Sequence, residues 1–247
     1  MSPRSAASRS AWPVGTTRYT AKLNRRFTHE REDAWSRAEA REVKDGFRVL
    51  KRAGKLGAVV VQFPWSFRNQ DANREWLTDL VDEFEEFPLV VEVRHASWNE
   101  ADFYARLAGR GVGFVNIDQP LFRRSIRPSA RATARVGYIR VHGRNYMDWF
   151  RKGAGRDARY DYLYTPAELR PWAERARAVA KDPTTEQVDV VFNNHYRAQA
   201  VVNALQFQKL LAGRPVPAPP ALMRAYPEAL ERHARAVPPA IPGAAAA

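Results

Sequence analysis

Residues 90–95 read Val-Val-Glu-Val-Arg-His, and residues 138–142 read Tyr-Ile-Arg-Val-His. Polar and apolar side chains alternate in both stretches, so that Glu92 and Arg94 share one parity, as do Arg140 and His142. Side chains of a β-strand alternate between its two faces. Each stretch therefore predicts a strand whose apolar face lies under helices and whose polar face turns toward a shared space.

The same alternation recurs in GAVVVQFP (57–64), FVNID (114–118) and VDVVFNNH (188–195), and the polar residues lie near the end of each stretch. Ligands bind at the carboxyl ends of the strands both in (β/α)8 barrels and in open doubly wound sheets. Strands of an open sheet covered on both faces read as continuous apolar runs. The alternation therefore favours a TIM-type barrel, with the polar residues gathered at its mouth.

Composition and length are those of one large α/β domain. The chain has 247 residues and is 45% hydrophobic, which is ordinary for a globular fold. No cysteine is present, which excludes disulfides and cysteine-ligated metal sites. No apolar run approaches the roughly 20 residues that span a bilayer, and the N-terminus lacks the apolar core of a signal peptide. We therefore expect a cytoplasmic protein with no membrane partner.

Helix and strand patterns alternate along the chain. Strands are predicted at 18–23, 57–63, 89–94, 113–118, 137–141 and 187–193. Helices are predicted around 32–53, after caps at Asn69 and Asn99, from a capping box at Thr165, and up to about residue 212. Residues 1–15 are expected to be disordered or foreign to the fold, 16–212 to form the barrel domain, and the Pro/Ala-rich tail 213–247 to be mostly unstructured.

Positive charge is concentrated in two predicted loops, 119–136 and 143–164. The formal net charge is +13, and residues 121–160 hold 11 basic and 2 acidic side chains. The preference for arginine over lysine, 33 against 7, is typical of a G+C-rich genome, but this bias does not explain the clustering. Aromatic residues are interspersed among these arginines, Phe150 among them, so the loops also fit a nucleic-acid-binding module.

Six blocks of the chain resemble the domain-of-unknown-function 72 family, the YecE-like TIM barrels. They are KLNRRFTH (22–29), GAVVVQFPWSF (57–67), VVEVRHASW (90–98), Asp118, YIRVHGR (138–144) and FNNHYRAQAVVNA (192–204), in the family's order. The resemblance implies a (β/α)8 barrel, and it brings no assigned reaction with it.

Two strands that open the barrel in this family have no counterpart here, so the expected fold is an N-terminally incomplete barrel with about six parallel strands. Six strands leave two edges of an eight-stranded barrel exposed. Three explanations stay open: a start codon placed too late or a disrupted gene, completion by another polypeptide, and a self-sufficient open sheet.

Three residues are predicted to be catalytic, because carboxylates and histidine exchange protons near neutral pH. They are Glu92, Asp118 and His142. Eight others are predicted to bind substrate or an anion: Lys22, Gln62, Arg94, Trp98, Arg140, Asn193, Asn194 and His195. Structural alternatives are an internal ion pair for Glu92 and Arg94, helix capping for Asn194 or His195, and packing for Trp98. Neither a metal nor a cofactor is predicted.

The leading hypothesis is a hydrolase or lyase that acts by acid/base chemistry on a small anionic ligand such as a phosphorylated sugar or a nucleotide. In this hypothesis Glu92 and His142 exchange protons, while Arg94 and Arg140 hold the anion. The alternatives are nucleic-acid binding by the basic aromatic loops 119–136 and 143–164, or an inactive truncated remnant. The pattern predicts no oligomeric state.

Overall fold

A computed structural model describes residues 17–149, 151, 153, 155 and 157–237. The segment 1–15, residues 238–247 of the tail and the loop residue Phe150 lie outside the described residues, as do the predictions made for them.

Six parallel strands form one sheet in the sequential order β1-β2-β3-β4-β5-β6. They are β1 (Tyr19–Lys22), β2 (Leu56–Gln62), β3 (Leu89–Glu92), β4 (Gly113–Asp118), β5 (Val136–Val141) and β6 (Gln187–Phe192). Sequential order of parallel neighbours is the strand order of a (β/α)8 barrel. The chain therefore has an α/β fold built on a six-stranded parallel half-barrel sheet.

A short helix that was not predicted, α1 (Arg25–Thr28), follows β1. The predicted helices are α2 (Arg37–Arg52), α3 (Asp71–Glu83), α4 (Ala101–Gly109), α5 (Pro166–Ala180) and α6 (Gln199–Ala212). The capping box of Thr165 and Glu168 is confirmed. The predicted caps at Asn69 and Asn99 are wrong, because α3 and α4 begin one residue later and Asn69 instead donates to the Ser97 carbonyl. In the described residues no helix is long and apolar enough to cross a membrane.

Strand register decides which side chains share a face, because paired residues of parallel neighbours point the same way. Gln62 pairs with Glu92, and Arg140 pairs with Ile117. Asp118 pairs with Val141 and therefore lies on the opposite face from Arg140. The expectation that Asp118 joins the shared polar face is thus wrong: in β4 the apolar residues Val115 and Ile117 face inward.

The main core lies between the outer face of the sheet and the helices. Val61, Val91 and Phe114 of the strands are buried there with Leu80 of α3. At Gly137 a helix approaches the sheet closely, since a Cβ at this position would lie 2.4 Å from a methyl carbon of Val179 in α5. Burial of this apolar layer leaves the inner face of the sheet to carry the polar residues.

The C-terminal segment folds, against expectation. It forms β7 (Val216–Ala218), α7 (Pro220–Ala225), α8 (Pro227–Leu230) and β8 (Ala234–Ala236), and β7 pairs with β8. Ala218, Leu230 and Ala234 are buried against Val202 and Leu205 of α6. Its Pro/Ala-rich composition resembles that of a disordered tail, but a few well-placed apolar side chains dock the segment onto the last helix of the half-barrel.

Candidate functional site

Glu92 lies at the centre of a group of polar residues at the carboxyl ends of the strands. Its side chain is fully buried, and Oε1 accepts hydrogen bonds from Nε and Nη2 of Arg94 at 3.1 and 2.9 Å. Nη1 of Arg140 donates to Oε2 at 2.6 Å and also to Oε1 of Gln62 at 2.6 Å. Burial alone would raise the pKa of Glu92, but Arg140 and Arg94, together with the hydrogen bond from His142, hold it well below its ordinary value. Glu92 is therefore a carboxylate that fixes two guanidinium groups.

His142 completes the group from the end of β5 and is also fully buried. Its Nε2 lies 3.2 Å from Oε1 of Glu92, and its Nδ1 lies 3.2 Å from Nδ2 of Asn193. With the Asn193 amide nitrogen facing Nδ1, Nδ1 accepts and Nε2 carries the proton that is donated to Glu92. Burial, followed by Arg94 and Arg140, lowers the pKa of His142 to about 4. The ring is therefore neutral at pH 7.

We call this group the inner cluster; it consists of Gln62, Glu92, Arg94, Arg140, His142 and Asn193. It unites residues from β2, β3 and β5 and from the segments that follow β3, β5 and β6. The sequence analysis predicted all six of these residues as members of one site. Neighbouring strands deliver them to one place because their side chains share a face of the half-barrel.

Lys22 adds a third cation beside the inner cluster. It lies at the end of the edge strand β1 and is exposed. Desolvation lowers its pKa, and Arg140 and Arg94 lower it further while Glu92 acts in the opposite direction. Three cationic side chains thus act around a single carboxylate. His29, which follows α1, also has its pKa lowered by burial and then by Lys22, so the unbalanced positive charge reaches the opening of the half-barrel.

Trp149, from the loop after β5, covers the inner cluster. Its ring centroid lies 5.6 Å from the Arg94 guanidinium and 6.3 Å from the His142 ring, and the side chain is 7% exposed. Sequence reasoning placed Trp149 only among the aromatic residues of a basic loop. Its neighbours lie far away in the sequence, so no local pattern could have marked it as a wall of the site.

Asp118 belongs to a second group on the other face of the sheet, which we call the outer cluster: Asp118, Arg144, Tyr162, Tyr164 and Glu168. Oδ2 of Asp118 accepts from Nε of Arg144 at 2.9 Å, and the Tyr164 hydroxyl donates to Asp118 while accepting from the Gly143 amide at 2.8 Å. The Tyr162 hydroxyl donates to Glu168 at 2.5 Å. These contacts tie the loop after β5, in which Gly143 has a φ of +96°, to the start of α5.

The remaining predicted binding residues lie outside the inner cluster. Trp98 is buried, stacks on Phe67 and donates its Nε1 proton to the Phe67 carbonyl at 2.8 Å. Asn194 donates to the Tyr162 carbonyl and to Asn203 of α6, both at 2.8 Å. These contacts correct the placement of both residues: Trp98 lies in a turn well beyond β3, where alternation no longer applies, and Asn194 directly follows Asn193 and therefore points to the opposite side.

His195 also turns away from the inner cluster. Its side chain is half exposed, and its Nε2 lies 3.4 Å from Asp157. Its ring lies 4.8 Å from that of Tyr160 in the loop after β5. Within the described residues, no group of three or more His, Asp or Glu side chains is arranged to hold a metal ion.

A family profile described as protein of unknown function DUF72 matches residues 11–225. A DUF72 family protein from Thermotoga maritima has a similar solved structure, with a TM-score of 0.72 and 31% sequence identity over 79% of this chain and 74% of that chain. A DUF72 family protein from Enterococcus faecalis gives a TM-score of 0.71 over the same shares, at 24% identity, which is a likeness of fold alone. No curated protein sequence matches the chain.

Proposed function

We propose that this chain, which belongs to the DUF72 family of proteins of unknown function, binds the anionic group of a small molecule at its inner cluster. The observation that carries the proposal is the charge balance: Lys22, Arg94 and Arg140 act around the one carboxylate of Glu92. Buried or half-buried charges of one sign repel each other unless a counter-ion is present. An oxyanion bound beside the exposed Lys22 supplies that counter-ion.

The geometry of the arginines supports recognition of a phosphate or carboxylate. Glu92 holds both guanidinium groups in place from the interior, and they keep small exposed fractions of 13% for Arg94 and 11% for Arg140. A guanidinium group binds oxyanions through several N–H groups in a fixed plane. Because Glu92 has already restricted the side chains, binding loses little further side-chain entropy.

A hydrolase or lyase reaction on a phosphorylated sugar or nucleotide needs a residue that exchanges a proton at pH 7. His142 does not suit this task, because its pKa of about 4 makes it a weak base and both of its ring nitrogens are hydrogen-bonded inside the cluster, so we propose anion binding without assigning a reaction. Glu92 has too low a pKa to act as an effective base, so the proposal gives it the task of holding the arginines. Asp118 has no part in it, since its contacts belong to the outer cluster.

The test is binding of inorganic phosphate, measured by isothermal titration calorimetry at low ionic strength. Lys22→Gln should weaken the binding at this site about tenfold, because one charge-assisted contact contributes about 1.5 kcal/mol or more. The matched control is Lys55→Gln, which removes the same charge from an exposed position just before β2, at the opposite end of the sheet. Equal affinities in the two variants, or no binding by the unmodified protein, would refute the proposal.

The packing of the basic loops disfavours the nucleic-acid alternative. That alternative needs exposed aromatic rings on which bases stack, but Tyr164 and Trp149 are buried at 1% and 7% exposure. Tyr162 packs its ring against Tyr164 at 4.9 Å. Of the loop aromatics that the structure describes, Tyr146 is the one exposed at 50%, which is a small stacking surface for a strand of nucleic acid.

A further inference from the structure

His95 is a buried histidine on the other side of β3 from the inner cluster. It is 6% exposed and has an extended backbone, with φ of −89° and ψ of 138°. Because consecutive residues of an extended chain point to opposite sides, its side chain leaves the strand end away from that of Arg94. It is also absent from the hydrogen bonds of the inner cluster, so the site described above does not account for it.

One nitrogen of the ring has a defined partner, and this settles the tautomer. The Ser97 amide donates to Nδ1 at 3.1 Å, and the Ser97 hydroxyl lies 2.8 Å from the same atom. A backbone N–H can only donate, so Nδ1 is the acceptor and the proton of the neutral ring is on Nε2. His95 therefore presents an N–H donor at its far side.

That donor has no hydrogen-bond partner, although Nε2 is buried. Buried polar groups are nearly always paired, because an unpaired one loses its hydrogen bonds to water without replacement. The backbone around the ring is held on both sides, since the Ala96 amide donates to the Arg124 carbonyl and the Ile126 amide donates to the Arg94 carbonyl, both at 2.8 Å. The ring keeps its position, and the unpaired donor calls for an acceptor from outside the chain.

Two cations lie close enough to the ring to act on its charge. The charged side chains that act on the ring are Arg68, from the loop after β2, and Arg124, from the loop after β4, and both are exposed. Burial first, and then these two arginines, lower the pKa of His95, so the ring stays a neutral donor at pH 7. Trp65 forms a wall, with its ring 5.0 Å from that of His95 and 5.9 Å from the Arg68 guanidinium.

We propose that His95, Arg68 and Arg124 form a second oxyanion-binding site, in which Nε2–H of His95 donates to a phosphate-type oxygen and the two guanidinium groups neutralise its charge. An oxyanion satisfies both features at once, because it accepts hydrogen bonds and carries negative charge. A neutral acceptor would pair the donor and leave the cations without a counter-ion. The two arginines have long, exposed side chains, which can open to admit the ion and close over it.

This proposal stands apart from the function proposed for the inner cluster, and its test reports on His95 itself. The probe is inorganic phosphate, and the readout is the Nε2 proton and nitrogen resonances of His95 in protein labelled with ¹⁵N at histidine. We expect saturable shifts of both resonances and slower exchange of the proton with water. Arg68→Gln combined with Arg124→Gln should weaken this response at least tenfold, and both positions are exposed, so the fold should persist.

The matched control is Arg123→Gln, which removes an exposed charge from the residue next to Arg124; its response should stay within twofold of the unmodified protein. Lys22→Gln should leave the His95 response unchanged even where it abolishes binding at the inner cluster, so failure of either proposal can be recognised separately. Unchanged His95 resonances at saturating phosphate, or an undiminished response in the double variant, would overturn the second site.

Discussion

The inner and outer clusters both lie at the carboxyl ends of strands of one sheet and use similar residues, but they differ in how their charges are matched. In the outer cluster, Asp118 and Glu168 surround one guanidinium group, that of Arg144, and two tyrosine hydroxyls donate to the carboxylates. In the inner cluster, cations outnumber the single carboxylate and continue to the exposed Lys22.

This difference separates a structural anchor from a binding site. The two carboxylates of the outer cluster outnumber its one guanidinium group, but the tyrosine hydroxyls of the chain donate to both of them. The cluster fixes a loop to the start of α5, so a ligand would add little to it. The inner cluster carries positive charge that the chain itself does not neutralise. An ion pair at a strand end is therefore weak evidence of function, whereas unmatched charge beside an opening is stronger evidence.

The largest predicted effect comes from breaking the inner cluster at its centre. Glu92→Gln leaves the buried guanidinium groups of Arg94 and Arg140 without a counter-charge, and we expect a loss of about 3 to 5 kcal/mol in the free energy of unfolding. Urea unfolding followed by circular dichroism measures it. Glu86→Gln is the matched control, since its partner Arg48 is one-third exposed and such a pair contributes at most about 1 kcal/mol. Equal losses of unfolding free energy in Glu92→Gln and Glu86→Gln would show that the buried charges contribute no more than the surface pair.

The second prediction concerns acid. The pKa of His142 is about 4 in the folded chain and 6.5 ordinarily, so the unfolded chain binds the extra proton first. The free energy of unfolding should be unaffected by this residue above pH 6.5 and should fall between pH 6.5 and 4, by on the order of 3 kcal/mol. Glu92, whose pKa is also lowered, adds a further loss only below about pH 4.5.

Unfolding free energies measured across this pH range check the prediction. His142→Gln should flatten the slope between pH 6.5 and 4, whereas His195→Gln, at a half-exposed histidine, should leave it as in the unmodified protein. A slope that persists in His142→Gln would assign the acid sensitivity to another residue.

The third prediction perturbs the outer cluster. Tyr164→Phe removes the hydroxyl that accepts from the Gly143 amide and donates to Asp118, and leaving these buried groups unpaired should cost about 1 to 3 kcal/mol. Phosphate affinity at the inner cluster should change by less than twofold, because the outer cluster lies on the other face of the sheet. Tyr146→Phe, at a half-exposed tyrosine, is the control and should cost less than about 0.5 kcal/mol. A large loss of phosphate affinity in Tyr164→Phe would couple the two clusters.

The sequence predicted much of this arrangement, for a definite physical reason. Alternation places residues two apart on one face, so the six residues of the inner cluster were all found. Alternation does not tell which face of a strand turns inward. In FVNID either Asn116 and Asp118 or Val115 and Ile117 could face inward, and the pairing of Ile117 with Arg140 shows that it is the apolar pair. Trp98 and His195 lie past the extended backbone of their strand ends, where alternation no longer applies, and Asn194 directly follows Asn193 and so points to the other side. The contacts of Trp149 and of residues 213–237 depend on distant parts of the chain, which no local pattern encodes.

The smallest predicted effect is that of replacing Lys22, and it tests directly whether the inner cluster is a binding site. If Lys22 serves a ligand, its charge should not stabilise the empty protein, because its folded environment, through desolvation and then Arg140 and Arg94, already lowers its pKa. Lys22→Gln should therefore change the free energy of unfolding by less than about 0.5 kcal/mol. The change should be stabilising if repulsion between Lys22 and the arginines is its main cause.

Urea unfolding of Lys22→Gln and Lys55→Gln, with and without phosphate, shows whether Lys22 serves the ligand or the fold. Phosphate should stabilise Lys55→Gln as it does the unmodified protein, and Lys22→Gln clearly less. A loss above about 1 kcal/mol without phosphate would instead make Lys22 a structural residue like those of the outer cluster.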